Sequence, residues 1–238
     1  MATCSPRSPS PDRQASLRGL AVCLLALATL VGGCSGRSAA EPYHHTTPSE
    51  FYLYTPPNYQ PGVPLHLILS LHGPEEDALE CFNAWRQDAE ESGIIILCPA
   101  LPYTEGVLDR NGALLLIGTA LQEAYNEVSL QGTFFVVGLG EAGTLALEYA
   151  SQFPQAITGV AAVASREFPS LTERGAQLPI LILAASGDRA GTESAQSFVD
   201  GLVRQGRTVR LVTLDEPGDR LTSDASRLTV EFLGEILR

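Results

Sequence analysis

The chain contains no lysine: all 15 of its basic residues are arginine. That excludes Schiff-base chemistry and serine–lysine dyads, both of which need an amine able to give up its proton. Basic residues are scarce altogether, and 27 Asp plus Glu leave a formal net charge of −12. Over residues 34–238 the balance is 12 Arg against 26 acidic residues, a charge of −14. A surface so acidic repels polyphosphate backbones and anionic bilayers, so nucleic acid is not an expected partner. Histidine is confined to His44, His45, His66 and His72, and none follows in the remaining two thirds of the chain. No apolar run reaches the roughly 20 residues a membrane-spanning helix needs. No Cys, His or acidic cluster has metal-ligand spacing, and the His44–His45 pair stands alone, so no metal or cofactor is expected.

What is present begins with an export signal. Arg7, Arg13 and Arg18 precede the apolar stretch "LAVCLLALATLV" and then small residues at a cysteine, "VGGC". This ending resembles the lipobox of bacterial lipoproteins, which implies removal of residues 1–33 and acylation of Cys34. The expected location is therefore the bacterial cell envelope, on the periplasmic or extracellular face, held to the lipid membrane through Cys34. Residues 34–49, "CSGRSAAEPYHHTTPS", read as a polar tether, and residues 50–238 have the length of one domain. Beyond Cys34 only Cys81 and Cys98 remain. Two readings stand for them: a disulfide in an oxidising compartment, or buried small apolar side chains.

Strand-like and helix-like patterns alternate along residues 50–238, the signature of a mostly parallel sheet with helices on both faces. Strands are expected at 51–55, 65–71, 94–98, 133–137, 157–163, 179–185 and 208–213. Helices are expected at about 76–92, 112–127, 143–153, 192–205 and 224–237.

The stretch "FFVVGLGEAGTLALEYA" (134–150) carries the functional question. Gly138, Gly140 and Gly143 match GxGxxG, which seats a dinucleotide pyrophosphate on a helix N-terminus. The same residues match GxSxG, the elbow that presents a nucleophilic serine, with Gly140 in the serine's place. The dinucleotide reading fits poorly: three strands precede the turn, and the nearest acid for a ribose, Glu167, lies 24 residues past Gly143 with Arg166 beside it.

The surroundings favour the second reading. "LHLILSLHG" ends in His72 and Gly73, "AWRQDAEESGIIILCPALP" reads as the next helix and strand, and "GTLALEYASQFPQAITGVAAVAS" follows the turn. In this order the segments resemble the α/β-hydrolase family, in particular small lidless esterases of the carboxylesterase, feruloyl-esterase and polyhydroxybutyrate-depolymerase kind, over nearly all of residues 50–238. The resemblance implies a mainly parallel sheet of seven or eight strands. It also implies a pocket built by the His72–Gly73 loop, by Gly138, Glu141 and Gly143 around the elbow, and by Asp219 in a late loop.

Against that family pattern the catalytic machinery is missing. The nucleophile position is Gly140, the acid position is ambiguous between Asp188 and Ala190, and "EPGDRLT" places Asp219 and Arg220 where the family's histidine loop falls. A guanidinium stays protonated and cannot act as a general base. Without serine and histidine, only oxyanion and binding contributions remain, about 10³- to 10⁴-fold over water in a protease that has lost its triad. Cys98 and Ser165, each ending a strand, are the weaker substitute nucleophiles. The expectation is a catalytically inactive, esterase-like lipoprotein that binds a ligand or an envelope protein. The alternatives are an ester hydrolase using Asp188 or Asp219 to activate water, and a scaffold without pocket chemistry.

Overall fold

The computed structural model describes residues 43–238 apart from 48, 217 and 219. Residues 1–42, and with them the expected export signal, Cys34 and most of the expected tether, lie outside the described residues, as does Asp219.

Among the described residues, ten strands and five α-helices follow one another. The strands are β1 (Tyr43–His45), β2 (Phe51–Tyr54), β3 (Leu67–Leu71), β4 (Ile95–Pro99), β5 (Tyr103–Thr104), β6 (Val107–Leu108), β7 (Phe134–Leu139), β8 (Ile157–Val163), β9 (Ile180–Ala185) and β10 (Val209–Leu214). The helices, in chain order, are α1 (Ala78–Ser92), α2 (Arg110–Glu127), α3 (Glu141–Gln152), α4 (Arg189–Arg204) and α5 (Ser223–Ile236). Eight strands form one sheet in the order β1-β2-β4-β3-β7-β8-β9-β10. The β2 strand is antiparallel to its neighbours β1 and β4, and the remaining pairs are parallel. The expected architecture, a mostly parallel sheet with helices on both faces, is the one observed.

The central strands are apolar on both sides because both faces are covered. One face packs Ala113 and Ile117 of α2, Leu145 and Ala146 of α3 and Val199 of α4 against Leu67, Leu97 and Val136. The other packs Phe82 and Trp85 of α1 and Phe232 of α5 against Ile68, Ile96 and Phe135. Trp85 is fully buried, and its indole N–H donates to Ser70 Oγ at 2.7 Å, which satisfies the one polar atom the ring brings inside. Helix boundaries follow local chemistry. Asp77 and Glu80 make a reciprocal capping box at the start of α1, and Gly93 ends that helix in the left-handed region at φ 69°.

Two features depart from the sequence reading. The tether expected to run to residue 49 gives way at Tyr43 to a short edge strand, in which His44 stacks on Tyr52 and His45 on Phe51. The strand stays largely exposed and is held by ring stacking and by its pairing with β2. The second is the β5–β6 hairpin, whose turn residues Glu105 and Gly106 both have positive φ, 51° and 78°. Such turns are ordinarily signalled by Asn-Gly or Asp-Gly, and Glu-Gly gave no such cue.

Candidate functional site

The parallel strands end together on one edge of the sheet, and the loops that leave them enclose a cavity of about 590 Å³. Among parallel strands the order reverses between β3 and β7, since the chain runs from β3 outward to β4 and then back to β7 on the other side. Open α/β sheets hold ligands in the crevice at such a point. Pro74 and Glu75 line it from the loop after β3, Leu139 to Glu141 from the turn after β7, and Arg166 and Glu167 from the segment after β8. Asp188 follows β9, Gly218 follows β10, and Val107 reaches in from the hairpin.

The floor of the cavity is the glycine turn. Gly140 stands at φ 60° and ψ −122°, a conformation that L side chains rarely adopt, and it begins α3 without a side-chain cap. A Cβ built on Gly140 meets nothing within 4 Å. The flanking glycines are required for the opposite reason. A Cβ on Gly138 falls 2.1 Å from the Ala142 carbonyl oxygen, and one on Gly143 falls 2.1 Å from Ser165 Oγ. The turn is locked by Gly140 N–H donating to Val163 O at 2.8 Å and by Ser165 Oγ donating to Gly140 O at 2.8 Å. Gly138 and Gly143 therefore form the structure under the pocket and do not line it, as the sequence reading had them doing.

His72 and Gly73, also expected in the pocket, lie behind its wall. Imidazole Nδ1 donates to the Gly73 carbonyl at 2.8 Å, and Nε2 accepts from Leu101 N–H at 2.9 Å, which fixes the neutral tautomer. Burial pulls the pKa of His72 below the ordinary histidine value. This histidine ties β3 to the segment after β4 and has no nitrogen left for proton transfer. His44 Nε2 bonds Glu50 and His45 Nδ1 bonds the Ser49 carbonyl, so the two adjacent rings are committed to different partners. Among the described residues no group of side chains is arranged to hold a metal.

Asp188 does reach the cavity, but both of its oxygens are engaged. Oδ1 accepts from Gly191 N–H at 3.1 Å as the N-cap of α4, and Oδ2 pairs with Arg166 Nε at 2.5 Å. The Arg166 hydrogen bond, supported by the cap, holds this carboxyl below the usual Asp range. Such a group is a poor general base. Glu141 lines the cavity beside the elbow and accepts from Leu108 N–H at 3.1 Å, with Arg110 Nε 3.7 Å away. It thereby anchors the hairpin over the site. Arg220 is exposed and does not line the cavity.

Cys98 and Ser165 are both buried. Burial pushes the Cys98 thiol well above its ordinary value, and the Ser165 hydroxyl is spent on the elbow. Neither presents a nucleophile to the cavity.

Sequence reasoning did not single out Pro74. In the hydrolase arrangement an oxyanion is held by the N–H after the nucleophile and by an N–H from the loop after the third strand. Two residues of that loop line the cavity: Pro74, which has no N–H, and Glu75, which adds a carboxylate. The signal was readable, since Pro74 directly follows the His72–Gly73 pair.

Comparison with solved structures identifies the architecture. A thermostable esterase superposes with a TM-score of 0.66 at 17% identity, covering 82% of this chain and 62% of that one. A dienelactone hydrolase from Anabaena variabilis gives 0.62 at 17% identity, with 83% and 99% covered. A ferulic acid esterase from Anaeromyces mucronatus, solved with ferulic acid, gives 0.62 at 14% identity, with 83% and 90% covered. The fold is that of the α/β hydrolases. No protein-family model and no curated protein matches the sequence. At these identities the likeness concerns the backbone fold alone.

Proposed function

We propose that the protein is a catalytically inactive, esterase-like lipoprotein that binds a small molecule or an envelope partner in the crevice around Gly140. The observation that carries this reading is the elbow itself. Its backbone is in the strained nucleophile conformation, the space above it is open, and no side chain stands there. Three further features argue in the same direction. His72 is locked as a neutral structural residue, Asp188 is consumed by Arg166 and by its helix cap, and Pro74 has no N–H to offer the cavity.

An open cavity favours binding over a purely structural scaffold. At about 590 Å³ it falls within the 300–1,000 Å³ usual for small-molecule sites. Among the described residues that line it, four are acidic, Glu75, Glu141, Glu167 and Asp188, and one is basic, Arg166. That balance disfavours carboxylate and phosphate ligands and suits neutral or cationic ones. Anchoring through acylated Cys34 would place the crevice at a bacterial envelope membrane.

The test is hydrolysis of short and medium p-nitrophenyl esters by the full chain, with fluorophosphonate labelling in parallel. The expected result is neither turnover nor labelling. Ester turnover that disappears when Glu141, Asp188 or Asp219 is substituted would establish an unorthodox hydrolase and overturn the reading.

A further inference from the structure

We propose that Cys81 and Cys98 are a disulfide-forming pair that staples α1 to β4 when the chain folds in the presence of a disulfide oxidant. Their sulfurs lie 3.2 Å apart across the contact between this helix and this strand, both as free thiols. Both side chains are buried, so the pairing is held by the packing of Phe82 and Trp85 against the sheet and does not depend on a surface loop. Closing the bond to about 2.0 Å asks for a movement of little more than 1 Å, small enough for side-chain rotation and slight helix adjustment.

The polar surroundings tolerate the change. Cys81 Sγ–H donates to Ser70 Oγ at 3.1 Å, and the same oxygen accepts the Trp85 indole N–H at 2.7 Å. Oxidation removes the thiol hydrogens and leaves the Trp85–Ser70 bond in place, so no strong buried donor is orphaned. The residues concerned sit 17 apart in sequence, and α1, which carries Cys81, begins directly after the loop that supplies Pro74 and Glu75 to the crevice. The bond would therefore brace the wall of the pocket from behind.

The step balances as thiol–disulfide exchange. A thiolate of one cysteine attacks an oxidant of the form R–S–S–R, releasing one R–SH; the second cysteine displaces the other R–SH from the mixed disulfide. Two thiol protons pass to the departing thiols, the protein sulfurs lose two electrons, and the oxidant is reduced. Because the folded state buries both sulfurs and raises the Cys98 thiol, exchange belongs to folding, before α1 is packed.

The absence of lysine makes the test direct. Trypsin cuts only at arginine, and Arg86 separates the two cysteines into peptides 38–86 and 87–110, while Cys4, Cys23 and Cys34 fall in other peptides. The full chain, reduced and unfolded, is refolded in oxidised and reduced glutathione, trapped with N-ethylmaleimide under denaturing conditions and digested. The expected product is peptide 38–86 joined to 87–110, with a melting temperature roughly 5–10 °C above that of the reduced protein. In Cys98→Ala the linked pair and the melting difference should both vanish. Maleimide on both cysteines after oxidative refolding, or Cys81 joined to Cys4, Cys23 or Cys34, would overturn the proposal. The parent's peptide map decides the matter even where the variant fails to fold.

Discussion

Restoring the hydroxyl alone, as Gly140→Ser, separates the geometry of the elbow from its chemistry. A Cβ at this position meets no atom within 4 Å, so the substitution carries no steric clash. Its cost is the left-handed backbone at φ 60°, about 1–3 kcal/mol for a non-glycine residue in a sparsely populated region. Loss of glycine also restricts the unfolded chain, which offsets about 0.4–1 kcal/mol of that. The net destabilisation is about 1–2 kcal/mol, a fall in melting temperature of roughly 2–8 °C. The variant should fold and stay inactive. The only buried histidine near the crevice, His72, has both ring nitrogens bonded to backbone groups, and Asp188 is held ionised by Arg166. Hydrolysis of p-nitrophenyl butyrate should match the parent, and a fluorophosphonate should leave the new hydroxyl unlabelled. Robust turnover or labelling would refute the reasoning by revealing a base that the geometry does not show. A variant that cannot fold would refute the claim that the elbow is open.

Other substitutions test the parts separately. Gly143→Ala drives a methyl to 2.1 Å from Ser165 Oγ and 2.8 Å from the Gly138 carbonyl, and should cost more than about 3 kcal/mol in urea unfolding. Gly118→Ala, exposed in the middle of α2 with nothing near its Cβ, should instead stabilise by about 1 kcal/mol. Ser70→Ala strips the partner from the buried Trp85 indole N–H and should cost about 1–3 kcal/mol, read from the same unfolding curves. Asp188 has its folded pKa depressed, so its contribution is present above the unfolded value near 4 and is lost as pH falls through the folded value. Acid unfolding of Asp188→Asn should therefore lack that part of the pH dependence, and an unchanged acid limb would remove the Arg166 pairing from the argument.

The sheet and its five helices were legible because buried parallel strands such as "IIILC" and "FFVV" leave continuous apolar runs, and the helices between them carry capping residues such as Asp77 and Asp188. The elements that escaped, β1 and the β5–β6 hairpin, are short and stabilised from outside themselves. His44 and His45 are held by stacking on Tyr52 and Phe51, and the hairpin is pinned by Glu141, 33 residues from Leu108. No local pattern encodes such partners. Gly140 and the lack of any histidine after His72 were legible because they are statements about residue identity. The geometry of the site was not: a GxGxxG string cannot say which glycine is crowded and which is open. Only the backbone packing around Ala142 and Ser165 distinguishes Gly138 and Gly143 from Gly140.

On the proposed reading, that distinction bears on how a hydrolase fold could keep its shape without its chemistry. In an active elbow the serine's strained backbone costs about 1–3 kcal/mol that the surrounding fold must supply. Glycine removes the strain and leaves the strand-turn-helix connection intact, because the packing requirement rests on Gly138 and Gly143 and the hydrogen bonds run through the backbone of residue 140. The crevice is likewise set by strand order and loop placement, neither of which depends on a nucleophile. A site that performs no acyl transfer has no developing oxyanion to stabilise. Such a site tolerates Pro74, which has no N–H, and carboxylates that would repel a tetrahedral intermediate. The acidic, proline-edged crevice is thus the physical complement of Gly140, and its preference among neutral, cationic and anionic ligands is the property in which function should be sought.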